Sequence, residues 1–135
     1  MKKVMAFGTF DVFHQGHQYY LQQSKSLGDQ LVVVVALDQT VFEVKGFSPQ
    51  DNQELRLQNV ATSGLCDLAV LGNPENKFKV LEEHKPDIIA LGYDQVAFTQ
   101  NLEQAIIDLG LSTKIIRIES YKPEIYKSSY LKNKN

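Results

Sequence analysis

The sequence predicts a doubly wound α/β fold in which five parallel strands are covered on both faces by helices. Two observations carry this. Five apolar runs recur along the 135 residues, and each is continuous rather than alternating. Strands buried on both faces read this way, and both-face burial is the condition of a parallel sheet packed under helices. Between the runs lie stretches whose apolar residues fall at helical spacing, so the order is β-α-β-α-β-α-β-α-β.

The first strand is Val4-Met5-Ala6-Phe7. A helix follows over His17 to Leu27, with Tyr20, Leu21, Ser24 and Leu27 close to one stripe and Gly28 as its stop. The second strand is Leu31 to Ala36. Asp51 to Ala61 reads as a helix with Asp51 as N-cap and Leu55, Leu57, Val60 and Ala61 on its apolar face. The third strand is Leu68-Ala69-Val70-Leu71. A short helix over Lys77 to His84 is ended by Pro86. The fourth strand is Asp87 to Leu91. The helix Thr99 to Leu109 carries Leu102, Ala105, Ile106 and Leu109 and stops at Gly110. The fifth strand is Lys114 to Ile118. No linker, repeat or low-complexity stretch intervenes, so residues 1–135 are expected to form one domain. The polar segment of about 121–135 is read as a tail or a flap over a site.

Composition narrows the function. Apolar residues make up 43% and charged residues 22%, the balance of a globular protein, and the net charge is −2. That balance gives no electrostatic case for nucleic acid or an anionic membrane as partner. The single cysteine, Cys66, excludes an intrachain disulfide and reads as a small buried hydrophobe. No apolar run reaches the roughly 20 residues that span a bilayer. The basic, then apolar, start at Met1 to Phe7 is cut short by Gly8 and Asp11, too early for a signal peptide. The expected location is the cytoplasm.

Ligands of such a fold sit beyond the carboxyl ends of the strands, where strand order reverses. The segment after the first strand is Gly8-Thr9-Phe10-Asp11-Val12-Phe13-His14-Gln15-Gly16-His17. Gly8 permits a turn or close approach that a Cβ would block. Thr9 and Asp11 can organise the turn through side-chain to backbone bonds. His14 and His17 are three apart, so in one helical turn their imidazoles share a face, and Gly16 leaves room beside them. The helix N-terminus adds free N–H donors and partial positive charge. These features suit phosphate transfer, where positioned donors stabilise charge on the transferred group. A surface or metal-binding pair is the plain alternative. Two histidines are too few for a structural zinc site, and Cys66 has no evident companion.

This ten-residue block resembles the signature of the cytidylyltransferase-like nucleotidyltransferases, and compatible motifs extend the resemblance over nearly the whole chain. It implies a Rossmann-like fold, a homodimer, and attack by a phosphate monoester on the α-phosphate of a nucleoside triphosphate, with release of pyrophosphate. Mg²⁺ is implied on the triphosphate, with no dedicated metal ligands in the protein. His14 and His17 then contact the triphosphate, and Gly8, Thr9, Phe10, Asp11 and Gly16 belong to the nucleotide site.

Other residues follow from the same resemblance. Lys45, in Lys45-Gly46 after the second strand, is implied as a phosphate-reaching cation, against a solvated loop lysine. Asp38 is implied in acceptor positioning. Arg56 stands where the family places an arginine toward the acceptor phosphate or the dimer interface, against a solvated helical arginine. Gly92 and Asp94 are implied in nucleotide contacts, against a plain turn. The stretch Pro86 to Gln95 resembles archaeal-type FAD synthases more than glycerol-3-phosphate cytidylyltransferases. Lys127-Ser128-Ser129 stands at the family's second signature, which binds the β- and γ-phosphates. Ser128 and Ser129 keep the hydroxyls, whereas Lys127 replaces a serine. That change leaves two readings open, added charge for the triphosphate or weakened activity.

The expected reaction is therefore ATP plus FMN to FAD and pyrophosphate. The alternatives are CTP plus glycerol 3-phosphate to CDP-glycerol, and a nucleotide-binding protein with little turnover. Phosphopantetheine adenylyltransferases fit less well, since they carry threonine where His14 stands. A dinucleotide-dependent oxidoreductase is disfavoured because Gly-x-Gly-x-x-Gly is missing after the first strand.

Overall fold

The computed structural model describes residues 1–76, 78–92 and 96–119, without the side chains of 96–100. Five parallel strands form one sheet in the order β3-β2-β1-β4-β5. They are β1 (Lys3–Gly8), β2 (Gln30–Val35), β3 (Leu68–Leu71), β4 (Ile88–Leu91) and β5 (Lys114–Arg117). The helices are α1 (Gln15–Lys25), α2 (Asp38–Lys45), α3 (Gln53–Ala61), α4 (Lys79–His84) and α5 (Val96–Asp108). The chain runs from β1 outward through β2 and β3, then crosses back to place β4 on the other side of β1. The reversal of direction thus lies between β1 and β4, where the fold predicts a ligand crevice.

The unbroken apolar reading of the central strands has a direct cause. Val4, Ala6, Leu31, Val33, Val35, Ile88 and Ala90 face one side and pack with Leu21 of α1 and Val60 of α3. Met5, Phe7, Val32, Val34, Ile89 and Leu91 face the other and pack with Val80 and Leu81 of α4 and Leu102 and Ile106 of α5. Successive residues point to opposite faces, and both faces are covered. The edge strands are more open; Leu68 opens β3 at 42% exposure.

The β2–β3 crossover differs from expectation. It holds two helices, and Lys45 ends the first of them rather than lying in a loop. α2 was hidden in the sequence because only Val41 of its eight residues is buried, so no apolar stripe marks it. α3 begins at Gln53 with Asn52 as N-cap, its Oδ1 accepting from the Leu55 amide at 2.8 Å. Asp51 stands one residue before the cap, and its amide donates to Asp11 Oδ1 at 2.9 Å. α1 starts two residues before the expected His17, and α4 starts at Lys79. Cys66 is half-buried against the α1/α3 side of the core, and burial raises its thiol pKa. Among the described residues no helix is long and apolar enough to cross a membrane.

Candidate active site

The turn leaving β1 takes an unusual path. Phe10 and Val12 both adopt positive φ, at 57° and 48°. For a β-branched residue this region is strained, at a cost of about 1–3 kcal/mol, and something must hold it. Asp11, between the two, is the anchor. Its carboxylate accepts from the Gln50 amide at 2.8 Å and the Asp51 amide at 2.9 Å. The expectation that Asp11 organises its own turn becomes a longer-range one, since it ties the β1 loop to the segment before α3. Burial opposes its ionisation, but the Asp51 and Gln50 amides and the Arg56 charge prevail and hold its carboxyl below the ordinary value. A carboxyl depressed on folding stabilises above its unfolded pKa, near 4, and loses that contribution as pH falls through the folded value. The melting-temperature difference between wild type and Asp11→Asn is therefore expected to be full at neutral pH and to shrink below about pH 4. Thermal melts at several pH values check it.

The Phe10 side chain packs inside the protein rather than facing a crevice. It is 2% exposed, so the nucleotide-binding reading of this residue is corrected. Its ring lies edge-on to His17 at 5.4 Å and stacked with Tyr20 at 6.2 Å. Gly8 is needed for the same ring, since a Cβ there would stand 2.8 Å from Phe10 Cζ. The close approach predicted for Gly8 is made by the protein's own aromatic side chain.

The histidines open α1 together. His14 is its N-cap, and its Nδ1 accepts from the Gly16 amide at 3.1 Å. His17 Nδ1 accepts from the His14 amide at 3.3 Å. This reciprocal pair is a capping box built from imidazoles. It also sets the tautomer. A neutral ring whose Nδ1 accepts carries its proton on Nε2, so both Nε2 atoms are donors. The rings are stacked, with centroids 3.8 Å apart and planes 22° apart. Phe13 lies 5.8 Å from the His17 ring and parallel to it. At Gly16 a Cβ would come within 2.9 Å of His14 Cε1, so glycine gives the ring its place.

Arg56 is the largest correction. It is 0% exposed, so it is not a solvated arginine, and its side chain is closed to an acceptor or a partner subunit. Its Nη1 donates to the Thr9 and Ala36 carbonyls, both at 2.8 Å, and its Nε donates to the Asp51 carbonyl at 2.9 Å. Nη2 meets Asp38 Oδ1 at 2.6 Å. One guanidinium thus ties together the loop after β1, the end of β2, the start of α2 and the approach to α3. Asp38 is correspondingly engaged, its amide also donating to Gln53 Oε1 at 2.9 Å. Thr9 serves the site through its carbonyl. Lys45 is exposed at the end of α2 and makes no hydrogen bond or ion pair among the described residues.

Two contributors escaped the sequence reading. Pairing between β1 and β4 ends at Ala6–Ala90, while β1 runs on to Gly8. In the opening, the Tyr20 hydroxyl accepts from the Phe7 amide at 3.2 Å and donates to the Ala90 carbonyl at 2.5 Å. The hydroxyl bridges the two strands where they diverge and form the crevice. Tyr20→Phe leaves both backbone groups without it, and urea unfolding is expected to show a loss of about 1 kcal/mol, the low end for a part-buried bond. Arg117, at the end of β5, donates to the Gly92 carbonyl at 2.6 Å and ties the ends of β4 and β5 together. Asp94, Lys127, Ser128 and Ser129 lie outside the described residues.

The structure therefore gathers Gly8 to His17, Asp38 and Arg56 around the carboxyl ends of β1 and β2, with Gly92 at the end of β4. Among the described residues no three His, Cys, Asp or Glu side chains are grouped to hold a metal ion.

The chain is similar to known proteins over nearly its whole length. The family model described as Cytidylyltransferase-like matches residues 5–134. An FAD synthase of Thermoplasma volcanium is 42% identical over 134 residues, which are 99% of this chain and 94% of that protein. An FAD synthase of Picrophilus torridus is 41% identical over 132 residues, 98% and 94% of the two chains. A crystal structure described as a lipopolysaccharide core biosynthesis protein from Thermoplasma volcanium superposes with a TM-score of 0.84 at 44% identity, covering 90% of this chain and 99% of that one. A pantoate-beta-alanine ligase from Francisella tularensis shares the fold alone, at 17% identity and a TM-score of 0.63, over 90% of this chain and 60% of the ligase.

Proposed function

The chain belongs to the cytidylyltransferase-like family, and from that premise we propose that it is an FAD synthase, joining the adenylyl group of ATP to FMN and releasing pyrophosphate. The observation that carries the chemistry is the histidine capping box at the start of α1. The choice of FMN as acceptor is supported by the near end-to-end match to FAD synthases.

A terminal phosphate oxygen of FMN attacks the α-phosphorus of ATP. A P–O bond forms there as the bond to the bridging oxygen of the β-phosphate breaks, and pyrophosphate leaves with the electron pair. The attacking oxygen is already anionic, so no general base is needed. The protein's task is alignment and stabilisation of charge. His14 and His17, stacked side by side, supply Nε2–H donors for the phosphate oxygens, at a helix N-terminus that favours anions. Their Nδ1 atoms are held by backbone amides, so the donors do not have to reorganise during reaction. Lys45 is the mobile cation, able to follow phosphate as it moves. Arg56 and Asp38 act as positioning residues by setting the relation of α2 to the β1 loop.

ATP enters as its Mg²⁺ complex. Mg²⁺ keeps several waters and leans on substrate phosphates, so a dedicated protein cage is not required. Gly92 and Asp94 are assigned to the nucleotide, and Lys127, Ser128 and Ser129 to its β- and γ-phosphates. Family membership further supports a homodimer, which light scattering tests. The net charge of −2 supports small-molecule rather than nucleic-acid or membrane partners, with the cytoplasm as the place of action. The direct test follows a phosphorus label from the α-position of ATP. Its recovery in FAD is the expected result; its recovery only in unreacted ATP contradicts the proposal.

A further inference from the structure

β1 and β4 part before either strand ends. They pair through Val4–Ile88, Met5–Ile89 and Ala6–Ala90, and their ladder stops there. Phe7 and Leu91 are next in register and do not pair with each other. Phe7 pairs instead with Val34 of β2, and Leu91 with Arg117 of β5. The sheet therefore forks at its point of reversal, with each arm held by its outer neighbour. The histidine loop leaves one arm after Gly8, and Gly92 follows the other.

A side chain from α1 occupies the fork. The Tyr20 hydroxyl lies 3.2 Å from the Phe7 amide, 3.3 Å from the Phe7 carbonyl oxygen and 2.5 Å from the Ala90 carbonyl oxygen. It accepts from the amide, and its single proton goes to the Ala90 carbonyl, the nearer of the two acceptors. The same residue reaches the histidines. Its ring stacks with Phe10, whose ring meets His17 edge-on. Tyr20 also stands three residues after His17, on the same side of α1. One residue thus touches both arms of the fork and, through Phe10, backs the ring of His17.

On the reading of this crevice as the ATP site, we propose that Tyr20 is a positioning residue for the nucleotide, its hydroxyl setting the separation of β1 and β4 at the mouth of the crevice. A triphosphate at the histidines and a nucleoside at Gly92 belong to one molecule, so its two ends span the distance between the arms. FMN meets the histidine arm through its phosphate and has no assigned contact on the β4 arm. Tyr20 acts through the backbone of both strands, restricting the fork to the width that ATP needs. Without the hydroxyl that width is one of several, and apparent affinity falls with its share of the population. The effect belongs to nucleotide binding, ahead of the chemical step.

The test compares the full chain of wild type, Tyr20→Phe and Thr113→Val. Thr113→Val removes a bond of the same kind, from Oγ1 to the Pro86 carbonyl, before the start of β4 and away from the fork. The probe is α,β-methylene ATP with Mg²⁺, which is not cleaved at the α-phosphate, titrated by calorimetry well below the melting temperatures. Tyr20→Phe is expected to bind it about tenfold more weakly, the equivalent of one hydrogen bond, and Thr113→Val within about twofold of wild type. In turnover, Tyr20→Phe is expected to raise the KM for ATP by a similar factor, with kcat and the KM for FMN within about twofold. Unchanged affinity for the analogue in Tyr20→Phe overturns the proposal, as does equal weakening in Thr113→Val, which would make the effect one of general stability. A loss confined to kcat overturns it too, as does failure of wild type to bind the analogue. Weaker binding by Tyr20→Phe in a protein that does not adenylylate FMN upholds the role of Tyr20 and rejects the acceptor. Unchanged binding in a protein that makes FAD rejects the role of Tyr20 and leaves the reaction standing.

Discussion

Replacing His14 by Asn is expected to leave α1 capped and to remove most of the turnover. Asparagine is a favoured N-cap, and its carbonyl oxygen can accept the amide bond that His14 Nδ1 now accepts. It has no donor at the position of Nε2. The melting temperature should therefore stay close to wild type, while kcat falls by roughly 10²–10³, the loss typical of one oxyanion donor. His14→Ala should show the same loss in kcat and, in addition, a loss of about 1 kcal/mol for the missing cap. His17→Ala should resemble it, since it removes the other half of the box. Steady-state pyrophosphate release and thermal melts on the three variants separate the two functions of these rings. Near-normal turnover in His14→Asn would show that capping is all His14 does.

Arg56→Met is expected to cost the most stability of any single change described. Methionine keeps much of the length and none of the donors. The Thr9, Ala36 and Asp51 carbonyls lose their shared partner, and Asp38 loses its counter-ion. Bonds from a charged donor are worth about 1.5–3 kcal/mol each and are not additive, so a total of about 3–5 kcal/mol is reasonable. Against a typical domain stability of about 5–15 kcal/mol this is a large fraction. Arg56→Lys should recover little, because an ammonium on a flexible stem cannot span carbonyls in separate segments. Urea unfolding measures both. Arg56→Met also releases Asp38 at the start of α2, so the KM for FMN is expected to rise in the fraction that folds, with the KM for ATP less affected. Loss of kcat alone, with stability and both KM values unchanged, would mean that Arg56 acts on the reacting phosphates.

The strands were legible because their signal is physical and strong. Runs such as Leu31 to Ala36 leave no polar face, and only two-sided burial tolerates that. That the two histidines open a helix directly after the first strand was legible from their spacing and their place between an apolar run and a helical stripe. What stayed hidden was what the protein does with its own residues. Phe10 and Gly8 read as nucleotide contacts, yet each serves the packing that fixes His17. Arg56 read as reaching toward an acceptor phosphate or a partner subunit, or else as solvated, because Leu55 and Leu57 beside it suggested a different apolar face. A usable sign was present: Arg56 and Val60 are four apart, and Val60 is fully buried, so they share the inward side of α3. Arg56 also has a nearby counter-ion in Asp38, the usual condition for burying a charge. α2 gave no periodic signal because Val41 is its one buried residue.

The central claim is tested most directly by pyrophosphate release from the purified protein with Mg²⁺, crossing ATP or CTP with FMN or glycerol 3-phosphate. Release with ATP and FMN, and in none of the other three mixtures, is the predicted result. Release with CTP and glycerol 3-phosphate in place of ATP and FMN would contradict it, and would move the histidine site to cytidylyl transfer.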